Sequence, residues 1–152
     1  MRLALYQPDI PQNTGTILRL AACLDVPVDV IGPAGFDMTD RNLRRAGLDY
    51  LDHVKLERHE SFATYLEARR ALPGRLVLLS SHANLNHTGF TFEAGDTLLL
   101  GRESAGVPQE VHDRADARLR IPMAPHMRSL NIAVAAALVL GEALRQTGGF
   151  PE

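Results

Sequence analysis

Apolar residues in this chain fall into short, nearly continuous blocks, separated by stretches in which they recur every three or four positions. Arg2 to Tyr6, Val28 to Ile31, Leu76 to Leu79 and Thr97 to Leu100 are blocks of the first kind. Runs of this length, rich in Leu, Val and Ile, predict strands covered on both faces of a parallel sheet. Ala117 to Ile121 reads as the last strand, His53 to Leu56 as a shorter one, and Phe90 to Phe92 as a little extended structure inside the polar segment Ser80 to Gly95. Between these blocks the period changes. Ile17, Leu20, Ala21 and Leu24 stand at i, i+3, i+4 and i+7, which predicts a helix capped by Asn13-Thr14, with Arg19 off its apolar stripe. Thr39 or Asp40 opens a second helix that Gly47 ends. Ser61 caps a third over Phe62 to Leu72, stopped by Pro73-Gly74. Pro108 suits the first turn of a fourth, through Arg114.

The segment Ile121 to Arg145 joins two opposed kinds of sequence. Pro122 and Pro125 exclude helix up to Arg128, whereas Ile132 to Leu140 has no polar side chain at all. Ser129 and Asn131 offer caps at the junction. A helix without a wet face must be packed on most sides, so the loop feeding it is held rigidly and can form a pre-organised polar site. The plainer alternative is a cap before a core helix.

Strands alternating with helices predict an α/β fold: a mostly parallel sheet of about six strands with helices on both faces, in one domain over residues 1–152. Ligands of such sheets bind outside the carboxyl ends of the strands. Three of those ends carry unusual sequence here: Leu79-Ser80-Ser81, Gly101 to Pro108, and Ile121 to Asn131.

Composition changes this picture little, with 45% hydrophobic and 22% charged residues. A net charge of -2 argues against polyanion binding by the whole surface and leaves room for a local basic patch. Cys23 is the only cysteine, which removes any intrachain disulfide and fits a reducing, cytoplasmic setting. The start lacks a secretory pattern, and the longest apolar run is far shorter than the roughly 20 residues of a membrane span.

Candidate chemistry concentrates at the same strand ends. Gly101-Arg102-Glu103-Ser104-Ala105-Gly106 is neither a Walker loop nor a GxGxxG fingerprint, but its glycines allow tight curvature and close ligand approach. Arg41, Arg44 and Arg45 share a helix face and, with Arg2, Arg19, Arg102 and Arg128, could form a phosphate-binding patch; as solvated arginines they would do nothing. The histidines show no metal-ligand spacing, Ser104 and Ser80-Ser81-His82 lack a nucleophile elbow, and Cys23 reads as helix packing.

Three segments taken in order, Asn13-x-Gly15-x3-Arg19, LLLGRESAGVP and IPMAPHMRSLNIAVAAALVL, resemble the three motifs of the SPOUT RNA methyltransferases, particularly their 2′-O-ribose branch. The opening YQPDIPQNTGTILRLAA and the segment RNLRRAGLDY are similar to the minimal tRNA wobble-nucleotide enzymes, and no RNA-binding extension accompanies them. The resemblance implies a C-terminal trefoil knot, an obligate homodimer joined through the first and last helices, and S-adenosylmethionine as cofactor, with no metal. It implies that Leu79, Gly101, Ile121, Met123, Ser129 and Leu130 contact the cofactor, and that Asn13, Arg19, Glu103, Ser129 and Asn131 form the catalytic cluster. His126-Met127 departs from the acidic and small residues common before Arg128.

The implied reaction is methyl transfer from S-adenosylmethionine to a ribose 2′-OH of tRNA, at the wobble nucleotide (cytidine or modified uridine), leaving S-adenosylhomocysteine. Relatives are assigned an arginine as general base; a guanidinium that stays protonated suits Arg19 better to gripping the adjacent phosphate. Methylation at another tRNA or rRNA position and a non-catalytic nucleotide-binding module are the alternatives.

Overall fold

A computed structural model describes residues 1–45 and 49–152. Among the described residues, seven strands form one all-parallel sheet: β1 (Arg2–Tyr6), β2 (Val28–Ile31), β3 (Leu56–His59), β4 (Leu76–Leu79), β5 (Leu85–Asn86), β6 (Thr97–Leu100) and β7 (Ala117–Arg120). Their order across the sheet is β3-β2-β1-β6-β4-β7-β5. The chain runs outward from β1 to β3, jumps back to lay down β4, and then fills the gap between β1 and β4 with β6. The ends of β4, β6 and β7 are thereby neighbours, with Leu79 level with Leu100 and Leu119.

The helices are α1 (Pro11–Cys23), α2 (Asp40–Arg45), α3 (Phe62–Arg69), α4 (Gln109–Arg114) and α5 (Ile132–Thr147). Side-chain alternation along the strands divides the core in two. Leu3, Leu5, Val28, Val30, Leu98 and Leu100 face α1 and α5. Ala4, Tyr6, Ile31, Leu76, Leu78 and Leu99 face α3 and α4 with Phe62, Tyr65 and Val111. Burial on both faces explains why the strands read as unbroken apolar runs.

Several boundaries differ from the sequence expectation. Helix α1 begins at Pro11, with Ile10 at the N-cap and no side-chain cap, so Asn13-Thr14 lies within its first turn; proline needs no N–H partner there. The expected strand at His53 to Leu56 is a 3-10 turn over Leu51–His53, and pairing with β2 begins only at Leu56. Phe90 to Phe92 does not pair as a strand; its two rings pack edge to face with centroids 4.9 Å apart, and the short β5 precedes them. Ser61 caps α3 through a reciprocal bond pair with Thr64, but the helix stops at Arg69, before Leu72. Cys23 is exposed at the end of α1. Gly47, expected to end α2, lies outside the described residues.

Helix α5 is the clearest departure. It extends to Thr147 and ends on left-handed Gly148, burying Ala133, Ala136, Val139, Leu140, Ala143 and Leu144 against the sheet and α1. Its other side is uncovered in this chain, with Val134 49% and Leu138 48% exposed. All-apolar sequence thus did not mean burial on most sides within one chain.

The central strands enter the sheet through a close backbone approach. Gly74, just before β4, has φ +97°, and a Cβ there would lie 2.0 Å from the carbonyl oxygen of Gly95, just before β6. Beside it Arg75 clasps the buried Asp96 through Nε at 2.9 Å and Nη2 at 2.7 Å. Burial pushes the Asp96 carboxyl up, but hydrogen bonds from Arg75 and backbone N–H groups prevail and hold it below the usual range. Substitution of Gly74 by Ala combines left-handed strain with this clash. We expect it to lower unfolding free energy by about 2 kcal/mol or more. An unchanged urea midpoint would show that the two turns separate freely.

Candidate active site

A cleft of about 540 Å³ opens at the carboxyl ends of β4, β6 and β7. That volume suits a ligand of cofactor size. All three unusual strand ends contribute: residues 79–82, 100–103 with 105–107, and a broken stretch from 119 to 132, joined by Asn13 near the start of α1. Leu79, Leu100, Leu119, Ile121, Leu130 and Ile132 give it apolar surface. Ser80, Ser129, Glu103 and Asn131 supply polar atoms.

The loop after β6 is folded tightly on itself. Arg102 and Gly106 exchange both backbone hydrogen bonds, each at 2.9 Å. Gly106 has φ +63°, and a Cβ on Gly101 would stand 2.9 Å from the Gly106 carbonyl carbon. Both glycines are therefore required by geometry.

The loop after β7 carries Pro122 and Pro125, then turns through His126 at φ +73° before meeting α5. Asn131, and not Ser129, caps that helix: its Oδ1 accepts from the N–H of Ala133 at 2.8 Å and of Val134 at 3.4 Å. Its Nδ2 donates to Asn13 Oδ1 at 2.9 Å. One side chain thus closes the end of α5 and orients a residue of α1, leaving the Asn13 amide nitrogen available as a donor.

Glu103 faces the β1–α1 loop. Its Oε2 accepts from the Asp9 N–H at 3.3 Å. Ser104 Oγ also donates to Asp9. Burial first, and then Asp9, push the Glu103 carboxyl above its ordinary range. The bonds from Glu103 and Ser104 pull Asp9 below its own.

The structure gathers most of the expected residues: Asn13, Leu79, Gly101, Glu103, Ile121, Met123, Ser129, Leu130 and Asn131 all line the cleft. Arg19 does not. It lies six residues beyond Asn13, roughly 9 Å along the helix and on a different face, with its guanidinium 4.8 Å from the Tyr50 ring centroid. Arg41, Arg44, Arg45 and Arg128 are exposed and also lie outside the cleft wall. Arg44 pairs with Asp52 at 2.8 Å. Sequence reasoning missed His112 and Arg120, which line the cleft, and Asp9 behind it. Only Asp9 carried a signal, its place between two prolines ahead of Asn13.

Among the described residues, Asp29, Glu57 and His59 bring potential metal ligands within 4.8 Å of one another. Both Asp29 oxygens are already engaged, by Arg2 Nε at 3.0 Å and His59 Nε2 at 2.8 Å. This cluster reads as an internal charge network.

Residues 1–141 match the family described as SpoU rRNA Methylase. The tRNA (cytidine(34)-2′-O)-methyltransferase of Beijerinckia indica is 62% identical over 148 residues, 97% of this chain and 92% of that protein. The protein of the same name from Escherichia coli K12 is 39% identical, over 97% and 94% of the two chains. A solved structure described as giving insights into the 2-OH methylation of C/U34 on tRNA superposes with a TM-score of 0.88 at 46% identity, covering 95% of this chain and 94% of its own. The SpoU methyltransferase AviRb from Streptomyces viridochromogenes, solved with AdoMet, superposes with a TM-score of 0.84 at 32% identity, over 96% of this chain and 60% of its own.

The double role of Asn131 can be tested by substitution. Asn131→Ala should cost about 1–2 kcal/mol of stability by removing the cap, and Asn131→Asp should recover most of it, as seen in urea unfolding. Equal stability of all three proteins would show that the cap contributes nothing.

Proposed function

This chain belongs to the SpoU rRNA Methylase family, and on that footing we propose that it transfers a methyl group from S-adenosylmethionine to the ribose 2′-OH of tRNA, at the wobble nucleotide, cytidine or modified uridine. The observation that carries the reading is the meeting of three strand-end loops in one cleft whose wall includes Asn13, Glu103, Ser129 and Asn131. The names of the relatives support the substrate, and the AdoMet bound to a structural neighbour supports the cofactor.

The residues present fit that cofactor. Leu79, Leu100, Ile121 and Leu130 offer an apolar slot for a purine. Ser80 and Ser129 offer hydroxyls, and the Gly101 turn allows close backbone approach. S-adenosylmethionine, when bound, supplies an electrophilic methyl on a sulfonium. The task of the protein is to hold an incoming oxygen in line with it, an effect of position more than of acid or base strength. Asn131, locked by its cap, and Asn13, locked by Asn131, suit the holding of a polar substrate group. Glu103 is the ionisable side chain best placed to orient a cation across the cleft. The scheme gives no metal a role.

Arg19 is the reactive-site cation in this proposal, gripping the phosphate beside the target ribose through its bidentate fork. Because it lies outside the cleft of its own chain, we assign it to the cleft of a second copy in a homodimer. Two features support that assembly: the exposed Val134 and Leu138 of α5, with exposed Met127 and Leu130 just before it in sequence and exposed Ile10 at the start of α1, and the packing of α1 on α5. We further propose a trefoil knot formed by loops 101–106 and 121–131, which converge on one cleft before α5 returns to pack on α1. Arg41, Arg44, Arg45 and Arg128 are proposed to meet RNA phosphates; the exposed Arg44–Asp52 pair costs little to open. A cytoplasmic, one-domain enzyme fits the lone exposed cysteine, and no helix among the described residues is long and apolar enough to cross a membrane.

Incubation with methyl-labelled S-adenosylmethionine and separate unmethylated tRNA and rRNA pools tests the assignment. Label should appear on the 2′-oxygen of a tRNA pyrimidine. Label confined to rRNA would move the substrate, label on a base would change the branch, and cofactor binding without any label would favour a nucleotide-binding module. In the same assay Arg19→Lys, which keeps the charge and loses the fork, should lower kcat/KM by about tenfold or more; turnover near the unsubstituted level would remove Arg19 from the orienting role.

A further inference from the structure

Arg19 is held differently from most arginines of this chain. Arg2, Arg44, Arg58, Arg75 and Arg145 each reach a carboxylate at between 2.7 and 3.0 Å. Arg19 has no hydrogen bond or ion pair among the described residues; its guanidinium lies instead over the ring of Tyr50, 4.8 Å from the centroid. Arg75 sharpens the contrast. It too stacks on a ring, 4.7 Å from the Phe90 centroid, but its in-plane donors are filled by Asp96 and the Thr91 carbonyl.

A cation–π contact uses the flat face of a guanidinium and leaves the N–H groups at its edge untouched. An acidic partner would occupy that edge. Stacking on Tyr50 therefore restrains Arg19 while keeping its fork open for an anion from outside, and phosphate is the anion that a bidentate fork matches. An arginine side chain also loses much rotamer freedom when it is ordered. A ring that restricts it beforehand lowers that cost at the moment of binding.

The ring is carried by fixed backbone. Tyr50 stands at the start of the 3-10 turn Leu51–His53, and its carbonyl accepts from the His53 N–H at 2.9 Å. The turn packs on α1 and α2: Leu51 is buried in the core, and Asp52 pairs with Arg44 of α2 at 2.8 Å. Tyr50 and Arg19 themselves remain exposed in this chain, so a ligand can reach them.

We propose that Tyr50 is a positioning residue for the transfer reaction: its ring supports the Arg19 guanidinium with the N–H edge presented to a phosphate of the RNA. This rests on the reading that gives Arg19 the phosphate beside the target ribose. Tyr50 lies outside the cleft wall, so its contribution belongs to RNA binding and not to cofactor binding or the chemical step.

The test is tRNA binding and steady-state methylation of the same unmethylated tRNA pool, with urea midpoints recorded for each variant. Tyr50→Leu keeps apolar bulk and removes the ring. It should raise the Kd and KM for tRNA about fivefold, leaving kcat and S-adenosylhomocysteine affinity within about twofold. Tyr50→Phe keeps the ring and should bind tRNA within about twofold of the unsubstituted protein. Replacing Tyr50 by pentafluorophenylalanine preserves the shape but reverses the charge of the ring face, so it should behave as Tyr50→Leu does and keeps the test valid if that variant fails to fold. The two residues should also be coupled: Arg19→Gln should weaken tRNA binding, and adding Tyr50→Leu to it should weaken binding by no more than about twofold further. Full, independent losses in the double variant would overturn the proposal, as would tRNA binding by the pentafluorinated protein within about twofold of the unsubstituted one. Unchanged tRNA binding by Arg19→Gln would overturn both this proposal and the phosphate role of Arg19. The expected coupling without methyl transfer to any RNA would instead overturn the methyl-transfer reading alone.

Discussion

The cleft exists because β6 lies between β1 and β4. A chain that added strands in sequence order would place the ends of β4, β6 and β7 apart; inserting β6 after β4 brings the loops that leave all three over one opening. That insertion is exacting. The segment entering β6 must pass against the one entering β4 with no side chain between, which is why Gly74 and Gly95 meet backbone to backbone. Arg75 and the fully buried Asp96 then secure the same crossing with a charge pair whose oxygens are all occupied. The underside of the sheet is thus closed by backbone contact and ion pairing, and the upper side is left open for a ligand.

On the open side the opposite logic holds. The loops there are stiffened mainly by hydrogen bonds between neighbouring loops, since few apolar side chains are available to pack them. The Arg102–Gly106 bridge closes one loop, Asn131 joins another to α1, and Asp9 joins the first to the segment before α1. Each bond is individually modest, about 1 kcal/mol net. Their value is geometric, because polar groups fixed before a ligand arrives need not be ordered when it binds.

Most of the sheet was legible because strands buried on both faces must be apolar throughout, and β1, β2, β4 and β6 have the expected bounds. What was not legible has a physical cause in each case. β3 is an edge strand with the polar sequence LERH, so neither alternation nor an apolar run marks it. Phe90 and Phe92 are apolar because their rings pack together and against the core, not because the backbone pairs. Nine cleft residues were foreseen, since the three motifs end on strand termini that the topology makes adjacent. Asp9 was missed because its role depends on a partner 94 residues away, a relation that local spacing cannot express.

The position of Arg19 and the character of α5 constrain each other. A helix of this composition leaves Val134 and Leu138 half exposed when only one side meets the sheet. Arg19 sits on α1, which packs on α5, but it faces away from the cleft that Asn13 helps to line. If a single chain were the functional unit, both features would be unexplained: an uncovered apolar helix and a motif arginine that stacks on Tyr50 and does not line its own cleft. In the homodimer proposed above, a second copy seated on α5 would cover the apolar face and carry its own Arg19 toward the first chain's cleft. The same surface that stabilises the pair would then complete the site, so that assembly and activity would depend on one interface.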